Sequence, residues 1–251
     1  MPKTLEGKVA LVTGGSRGLG VVLAETLADQ GADVAISYVA SAAKAEAVVE
    51  KLKAKGVRAV AIQADQADTA MAKPMVERVI AEFGKLDILV ANAAIAVQGK
   101  TVDDPTLDDA AYDRQWQVNV LGAVAVTRAA AQKISDGGRI VFIGSGLGTR
   151  SLLPGVADYA GTKAAIAGYA RGVQRDLGRR NITVNVVQPG IMATDMGAEA
   201  AEHLPETVLD MHPIRRIATL EEVAAAVSYL VGPTAGYTAG TVIDVSGGVL
   251  V

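Results

Sequence analysis

A glycine-rich turn between a strand pattern and a helix pattern most constrains the fold of this chain. Residues from Lys8 to Thr13 are apolar and largely β-branched, which is typical of a buried parallel strand. Gly14, Gly18 and Gly20 follow at once, and a helix pattern begins among them. Glycines in this position let the backbone approach a pyrophosphate, whose charge a helix N-terminus stabilises. A glycine cluster alone also fits a structural turn, but the flanking strand and helix favour nucleotide binding.

Strand and helix patterns alternate along the chain, which predicts a parallel sheet with helices on both faces. We expect an α/β fold with one domain over residues 1–251 and a doubly wound sheet of about seven strands. The predicted strands are Lys8–Thr13, Asp33–Tyr38, Arg58–Gln63, Leu86–Ala91, Gly138–Gly144, Thr183–Gln188 and Gly240–Val245. Helix patterns include Ala42–Lys55, Thr69–Phe83, Ala110–Ser135 and Asp158–Arg179.

Composition excludes several classes of function. The net charge of −3 provides no basic field for nucleic acid, and the lack of cysteine excludes disulfides and thiolate chemistry. His203 and His212 are nine residues apart without clustered acids, so no metal site is expected. No signal peptide and no membrane-spanning apolar stretch are found, and we expect a cytoplasmic protein without a membrane partner.

Tyr159 and Lys163 lie four residues apart in the helix pattern DYAGTKAAIAGYARGV, which places both side chains on one helix face. A free tyrosine has a pKa near ~10, but a nearby ammonium favours the phenolate and lowers that pKa. A phenol tuned in this way exchanges a proton with a carbonyl or alcohol oxygen. Alone, such a pair also fits a half-buried tyrosine beside a solvated lysine.

Six motifs occur in the order of one known family. They are TGGSRGLG near the start, ANAA after the fourth strand, VNVLG around Asn119, IVFIGSG with Ser145, YAGTK, and QPGIMATDM. From Leu5 to Val251, the chain resembles the short-chain dehydrogenase/reductase family. The resemblance implies a Rossmann-type fold and an oxidoreductase that uses a nicotinamide cofactor. ANAA departs from the family pattern Asn-Asn-Ala-Gly at its first and last positions.

The resemblance also implies four catalytic positions. Tyr159 would be the acid in reduction and the base in oxidation, and Lys163 would lower its pKa and hold the nicotinamide ribose. Ser145 would hydrogen-bond the substrate oxygen and stabilise its developing charge. Asn119 would hold a water near Lys163 and complete a proton relay to solvent.

The same resemblance implies how a dinucleotide is bound. Asp65 would contact the adenine, although it also fits a helix N-cap. Asn92 would lie near the adenosine ribose, and Thr194 with the backbone of Ile191 would orient the nicotinamide carboxamide. The predicted cofactor-binding residues are Gly14, Ser16, Arg17, Gly18, Leu19, Gly20, Tyr38, Ser41, Asp65, Gln66, Asn92, Ala93, Tyr159, Lys163, Pro189, Gly190, Ile191 and Thr194.

The end of the second strand favours NADP(H) over NAD(H). NAD-specific sites place a carboxylate there to bind a ribose hydroxyl. Here Tyr38 occupies that position, and no acid follows until Glu46. Arg17 in the glycine turn can face a 2′-phosphate, and Ser41 offers a hydroxyl donor. An NAD-dependent sugar or polyol dehydrogenase would need an acid near Tyr38, which this sequence lacks.

Residues 192–218 form a long insertion with weak periodicity, which is typical of a lid or binding loop. We expect it to cover the substrate. The predicted pocket is mostly apolar and has no arginine or lysine at an anchoring position, which favours a neutral ketone or aldehyde over a carboxylate or phosphate. The predicted pocket residues are Gly146, Leu147, Leu152, Leu153, Val156, Met192 and Met196.

Three further interpretations concern the oligomeric state, an alternative substrate and an alternative function. The alanine-rich helix patterns Ala110–Ser135 and Asp158–Arg179 suit close packing between subunits, which favours a homotetramer like those of the family. A 3-oxoacyl thioester is an alternative substrate. A nucleotide-binding protein with little turnover is the alternative from another class, although such a protein has no need of all four catalytic residues together.

Overall fold

The computed structural model describes residues 3–192 and 209–251. Seven strands form one parallel sheet at its centre, which confirms the predicted α/β architecture. Each predicted strand is present within two residues of its expected ends. The strands are β1 (Val9–Val12), β2 (Asp33–Tyr38), β3 (Ala59–Gln63), β4 (Ile88–Ala91), β5 (Arg139–Ile143), β6 (Thr183–Pro189) and β7 (Val242–Val245).

Helices follow most of the strands and cover both faces of the sheet. In the described part of the chain, the α-helices are α1 (Gly18–Asp29), α2 (Ala42–Ala54), α3 (Ala72–Phe83), α4 (Asp109–Trp116), α5 (Ala123–Ala131), α6 (Ala157–Leu177) and α7 (Leu220–Val231). α1, α2 and α7 pack on one face through alanine, valine and leucine side chains. α3, α5 and α6 pack on the other face, mostly through alanine and valine, with the larger side chains of Met75, Phe83 and Ile166. A core of small aliphatic residues lets these helices lie close to the sheet.

The order of the strands places the site. The sheet runs β3-β2-β1-β4-β5-β6-β7, and the register is parallel throughout. β1 pairs with β2 on one side and with β4 on the other, so the direction of chain progression reverses between β1 and β4. Open parallel sheets bind ligands beyond the carboxyl ends of the strands at such a reversal. The loops that follow Val12 and Ala91 therefore flank the expected cleft.

The segment predicted as a long helix over Ala110–Ser135 is helical from Asp109 to Ala131, but it is not a uniform α-helix. A π-helical turn, Gln117–Gly122, separates α4 from α5 and contains Asn119. Such a turn holds an extra residue, and it is a frequent feature of functional sites. It presses against the loop after β3, where a methyl group on Gly122 would lie 2.0 Å from the Gln66 carbonyl oxygen. The interruption thus lets the backbone of one helix approach that loop and turns Asn119 inward.

The predicted substrate loop is joined at its ends. Met192 and Ala218 form an isolated parallel bridge, and the Ala218 N–H donates to the Ile191 carbonyl at 2.9 Å. Most of the loop between them lies outside the described residues. Among the helices of the described ranges, none is long and apolar enough to cross a membrane.

Gly122→Ala tests the close packing of the π-helical turn. We expect the free energy of unfolding to fall by about 3 kcal/mol, because the new methyl group meets backbone atoms that a rotamer change cannot move. Chemical denaturation followed by circular dichroism measures this change. Gln117→Ala, at an exposed position of the same turn, is the control and should leave stability nearly unchanged. Equal stability of both variants would contradict the packing argument.

Candidate active site

The glycine turn leaves the first turn of α1 open. Gly14 and Gly18 have φ values of 66° and 50°, a region that residues with side chains rarely adopt. A methyl group on Gly20 would lie 2.2 Å from the Gly14 carbonyl oxygen. α1 has no side-chain cap from Arg17 and no acidic residue in its first turn. Its N–H groups and its dipole therefore suit an anion such as a pyrophosphate.

Thr13 fixes the distance between the glycine turn and the loop after β4. Its hydroxyl accepts hydrogen bonds from the backbone N–H groups of Asn92 at 3.1 Å and Ala93 at 3.0 Å. The Asn92 side chain donates to the Thr13 carbonyl at 2.8 Å. Ser37 at the end of β2 accepts from the Gly14 N–H at 3.1 Å. These side-chain bonds hold the ends of β1, β2 and β4 together.

One cleft of about 460 Å³ connects the glycine turn with Tyr159 and Lys163. It crosses the carboxyl ends of the central strands and is long and continuous, as an extended dinucleotide requires. Arg114, Val118 and Ile143 also line it, although the sequence analysis missed them. The predicted residues that line it are Gly14, Ser16, Arg17, Gly18, Leu19, Gly20, Tyr38, Ser41, Asp65, Gln66, Asn92, Ala93, Tyr159, Lys163 and Met192.

The end of the cleft beside β2 lacks a fixed carboxylate. Tyr38 is half-buried, and Val39, Ser41 and Arg17 are exposed around it. No carboxylate of the described ranges forms an ion pair with Arg17, and the Ser41 side chain makes no cap bond to α2. A free guanidinium and a free hydroxyl at this position suit a 2′-phosphate.

Asp65 forms an ion pair that the sequence analysis did not predict. Arg114 of α4 donates to both carboxylate oxygens, at 2.8 and 3.0 Å. The guanidinium holds the pKa of the Asp65 carboxyl below its usual range. The alternative interpretation of Asp65 as a helix N-cap is wrong, because Asp68 caps the following 3₁₀-turn while Asp65 accepts from the Ala67 N–H. Arg114 thereby closes one wall of the cleft beside the expected adenine position.

Tyr159 and Lys163 share one face of α6, as their spacing predicts. The Lys163 ammonium lies 5.6 Å from the centroid of the Tyr159 ring and donates to the Ile143 carbonyl at 3.0 Å. Lys163 is only 4% exposed. The end of β5 thus accepts a hydrogen bond from the lysine and holds it beneath the tyrosine.

The pKa values of this pair differ from the expectation. Burial raises the pKa of the Tyr159 phenol above its usual value, although a hydrogen bond with Ser145 partly opposes this rise. Burial also lowers the pKa of Lys163 to about 8. The predicted lowering of the phenol pKa is therefore not found in this structure, because burial is the largest cause of the pKa shift of each group.

Asn119 ties the loop after β4 to α6. Its side-chain oxygen accepts from the Ile95 N–H at 2.9 Å. Its amide nitrogen donates to the Ile95 carbonyl at 2.9 Å and to the Thr162 hydroxyl at 3.2 Å. Both amide hydrogens are thus used within the protein, and the water-holding role implied by the resemblance stays a prediction.

Ser145 begins a short turn that follows β5. Its hydroxyl accepts from the Leu147 N–H at 3.3 Å, at the start of the 3₁₀-turn Gly146–Gly148. That turn packs on the backbone of α6, where a methyl group on Gly148 would lie 2.8 Å from the Lys163 carbonyl carbon. Glycine at position 148 therefore lets the serine turn contact the helix that carries Tyr159 and Lys163.

The remaining predicted residues do not share one cavity with Tyr159. Gly190 and Ile191 line a neighbouring cavity of about 340 Å³, together with Leu250. Pro189 is the last, buried residue of β6. Around the serine turn, Gly146 lies beside Leu250, Leu147 and Leu152 are half-buried, Val156 is buried, and Leu153 is 46% exposed. Thr194 and Met196 lie outside the described residues.

Comparisons with known proteins agree with this site. A family model described as enoyl-(acyl carrier protein) reductase matches residues 14–250. A solved short-chain dehydrogenase from Burkholderia cenocepacia, in complex with NADP, is 45% identical with a TM-score of 0.91, over 99% of this chain and 100% of its own. A 3-oxoacyl-(acyl-carrier-protein) reductase of Staphylococcus aureus is 38% identical over 96% of this chain and 97% of its own. Versicolorin reductase 1 of Aspergillus parasiticus is 38% identical, with 97% of each chain covered.

The chain is therefore an oxidoreductase of the Rossmann type. It belongs to the short-chain dehydrogenase/reductase family, which confirms the assignment made from its six motifs.

The low pKa of Lys163 predicts how stability depends on pH. Between pH 8 and 10.5, the native lysine is neutral while the unfolded lysine is still protonated. The unfolded state then binds more protons, so raising the pH stabilises the native state by up to about 1.4 kcal/mol per pH unit. Below pH 8 both states are protonated, and this contribution no longer changes with pH.

Denaturation of the wild type and of Lys163→Met at several pH values measures this dependence. Methionine keeps the length of the side chain but cannot titrate. The stability of the wild type relative to the variant should rise from pH 8 towards pH 10. A constant difference across that window would contradict the effect of burial on this lysine.

Proposed function

We propose that this protein is an NADPH-dependent carbonyl reductase that interconverts a neutral ketone or aldehyde and its alcohol. One observation carries the proposal: Tyr159, Lys163 and Ser145 meet at the far end of the cleft that begins at the glycine turn. A nicotinamide bound in that cleft would supply the hydride. The protein then has to supply position, a proton and electrostatic stabilisation.

The side chains divide these tasks. Tyr159 donates a proton to the substrate oxygen in reduction and accepts it in oxidation. Ser145, which is hydrogen-bonded to the phenol, also binds the substrate oxygen and stabilises the charge that develops on it. Lys163 holds the nicotinamide ribose and passes a proton to Tyr159. Asn119 contributes indirectly. Its side chain joins Ile95, in the loop after β4, to Thr162 on α6, the helix that carries Tyr159.

The cofactor is NADP(H) rather than NAD(H). Arg17 and Ser41 are exposed at the end of β2, where NAD-specific sites have a carboxylate. The Burkholderia relative, which shares 45% of its sequence with this chain, was solved with NADP. Asp65 and Asn92 line the middle of the same cleft and suit the adenine and the ribose. Gly190 and Ile191, with Thr194, are the proposed nicotinamide contacts.

The substrate pocket would lie over the serine turn and beneath residues 192–218 of a single reductase domain. Met192 supports this placement, because it lines the cleft with Tyr159 and pairs with Ala218 at the other end of the loop. Reduction of a 3-oxoacyl thioester is a second candidate, favoured by the identity of 38% to a relative named for that reaction. The predicted cytoplasmic location stays a prediction.

We also propose a homotetramer. A groove of about 410 Å³ lies between α5 and α6, and Tyr169 and Gly172 help to line it. Ala164, Gly168 and Gly172 form an exposed stripe of small residues along α6. Apart from the neighbouring backbone of α6, a methyl group on Gly168 or on Gly172 would meet no atom of residues 3–192 and 209–251 within 4 Å. A second copy of α6 can therefore approach closely at this face.

Tyr159→Phe tests the catalytic assignment. With purified protein and a panel of neutral ketones, aldehydes and 3-oxoacyl thioesters, we expect kcat for NADPH oxidation to fall by about 10²- to 10⁴-fold in this variant. The Kd for NADPH should change by less than about twofold, because the phenol contributes mainly in the transition state. Undiminished turnover would mean that another group donates the proton. No turnover by the wild type, with tight NADPH binding, would support a binding protein instead.

Arg17→Leu tests the preference for the phosphorylated cofactor. We expect the Kd for NADPH to rise about tenfold, since a charged hydrogen bond to the 2′-phosphate is lost, while the Kd for NADH stays nearly constant. Isothermal titration calorimetry measures both. Lys44→Leu, on the exposed start of α2, is the control and should have a smaller effect. Equal weakening of both cofactors by Arg17→Leu would contradict the phosphate contact.

Gly168→Arg tests the subunit interface. A side chain there has space within one chain, so the fold should persist, but two helices could no longer approach closely. Light scattering should give the mass of four chains for the wild type and a smaller mass for the variant. Ala54→Arg, on the exposed end of α2, should stay tetrameric. A tetrameric Gly168→Arg would place the interface elsewhere.

A further inference from the structure

Gln188 is a buried amide in an otherwise apolar part of β6. It is 1% exposed, in the strand TVNVVQP, and directly precedes Pro189 and Gly190. A buried amide without hydrogen bonds costs free energy, so its partners explain its presence in the sheet. Gln188 is the first residue of the motif QPGIMATDM, but neither the motif nor the periodicity of the sequence assigns it a role.

The side-chain hydrogen bonds of Gln188 reach the end of the serine turn and the neighbouring strand. Its amide nitrogen donates to Thr149 Oγ1 at 3.0 Å and to Asp244 Oδ1 at 2.8 Å. Its oxygen lies 3.3 Å from the Thr149 hydroxyl, which donates to it. Thr149 directly follows the 3₁₀-turn that begins after Ser145, and its N–H closes that turn on the Gly146 carbonyl at 3.0 Å.

The stem of Gln188 contacts the other end of the same turn. A methyl group on Gly144 would lie 3.0 Å from Gln188 Cγ and 2.9 Å from Val186 Cγ1, so glycine lets the chain pass close to both side chains before Ser145. Gln188 therefore touches the chain on both sides of the serine. The opposite side of the turn packs on α6 through Gly148, next to Lys163. The turn is held between one buried amide and the helix that carries Tyr159.

We propose that Gln188 is a positioning residue, which holds the Ser145 hydroxyl against the Tyr159 phenol through Thr149 and Gly144. Without the amide, the turn keeps its contact with α6 but loses its support from the sheet. A displacement of Ser145 would weaken its hydrogen bond to the phenol and its binding of the substrate oxygen. Small displacements of this kind are costly for catalysis. The kinetic part of this inference rests on the proposed carbonyl reduction, whereas the structural part does not.

Variants at this site should fold. Thr149 and Asp244 are both exposed, so water can replace the amide as their partner. Gln188→Met keeps the length of the side chain and removes its hydrogen bonds. Asn185→Leu is the control, because Asn185 is a fully buried amide on the same strand that bonds to Thr238 and Thr241 instead.

The first readout is the ¹³Cζ resonance of Tyr159 in tyrosine-labelled protein, assigned by its absence in Tyr159→Phe. Ser145→Ala defines the position of this resonance without the serine hydrogen bond. We expect Gln188→Met and Thr149→Val to move the resonance towards that position. Thr149→Ser keeps a hydroxyl and should leave the resonance in place, and so should Asn185→Leu. These expectations hold whether or not a substrate is known.

The second readout is steady-state kinetics with the best carbonyl substrate. Gln188→Met and Thr149→Val should each lower kcat about tenfold with an unchanged Kd for NADPH. The double variant should lose little more than either single variant, because both remove the same contact. Asn185→Leu should lower thermal stability without lowering kcat.

Three results would decide the matter. A shifted resonance with the expected loss of kcat supports the proposal. An unmoved resonance in Gln188→Met overturns it, even if the variant is less stable. A wild type without turnover contradicts the proposed reductase function, and the resonance then still decides whether Gln188 positions Ser145.

Discussion

The hydrogen bonds of Thr13 join two chain segments on which the site depends. β1 and β4 are neighbours in the sheet but more than seventy residues apart in sequence. The Thr13 hydroxyl binds two N–H groups of the β4 loop, and its carbonyl binds the Asn92 side chain. A methyl group on Gly14 would lie 3.0 Å from Ala93. The cleft thus begins at a fixed, narrow gap, and its floor cannot widen without breaking these bonds.

A second constraint follows from the contact of the serine turn with α6. Glycine at position 148 lets the turn lie on the helix backbone, while Gly122 lets the π-helical turn lie on the loop after β3. Asn119 then reaches both Ile95 and Thr162. The proposed catalytic side chains are therefore placed by close backbone contacts that only glycine allows. Rigid placement of this kind is what precise orientation of a reacting oxygen requires.

The sequence predicted those parts of the molecule that depend on local patterns. Strand and helix periodicity gave all seven strands, and the four-residue spacing placed Tyr159 and Lys163 on one helix face. The Asp65–Arg114 pair could not be predicted, because its partners lie 49 residues apart and follow no shared pattern. The π-helical turn at Asn119 was missed because α4 and α5 are too short for a one-residue shift in the apolar pattern to be recognised between them. Gln188 was missed because only tertiary contacts give a buried amide its meaning.

Burial of the Tyr159–Lys163 pair gives the proposed proton relay its direction. In this structure the phenol has a pKa above its usual value of 10.0, while the pKa of the lysine falls to about 8. The lysine ammonium is then the stronger acid of the two. Once Tyr159 has given its proton to a substrate oxygen, transfer from Lys163 to the phenolate is downhill. The same desolvation that makes the phenol a weaker acid when alone also makes the lysine ammonium a stronger one, so that Lys163 can restore the proton of Tyr159 during the proposed reduction.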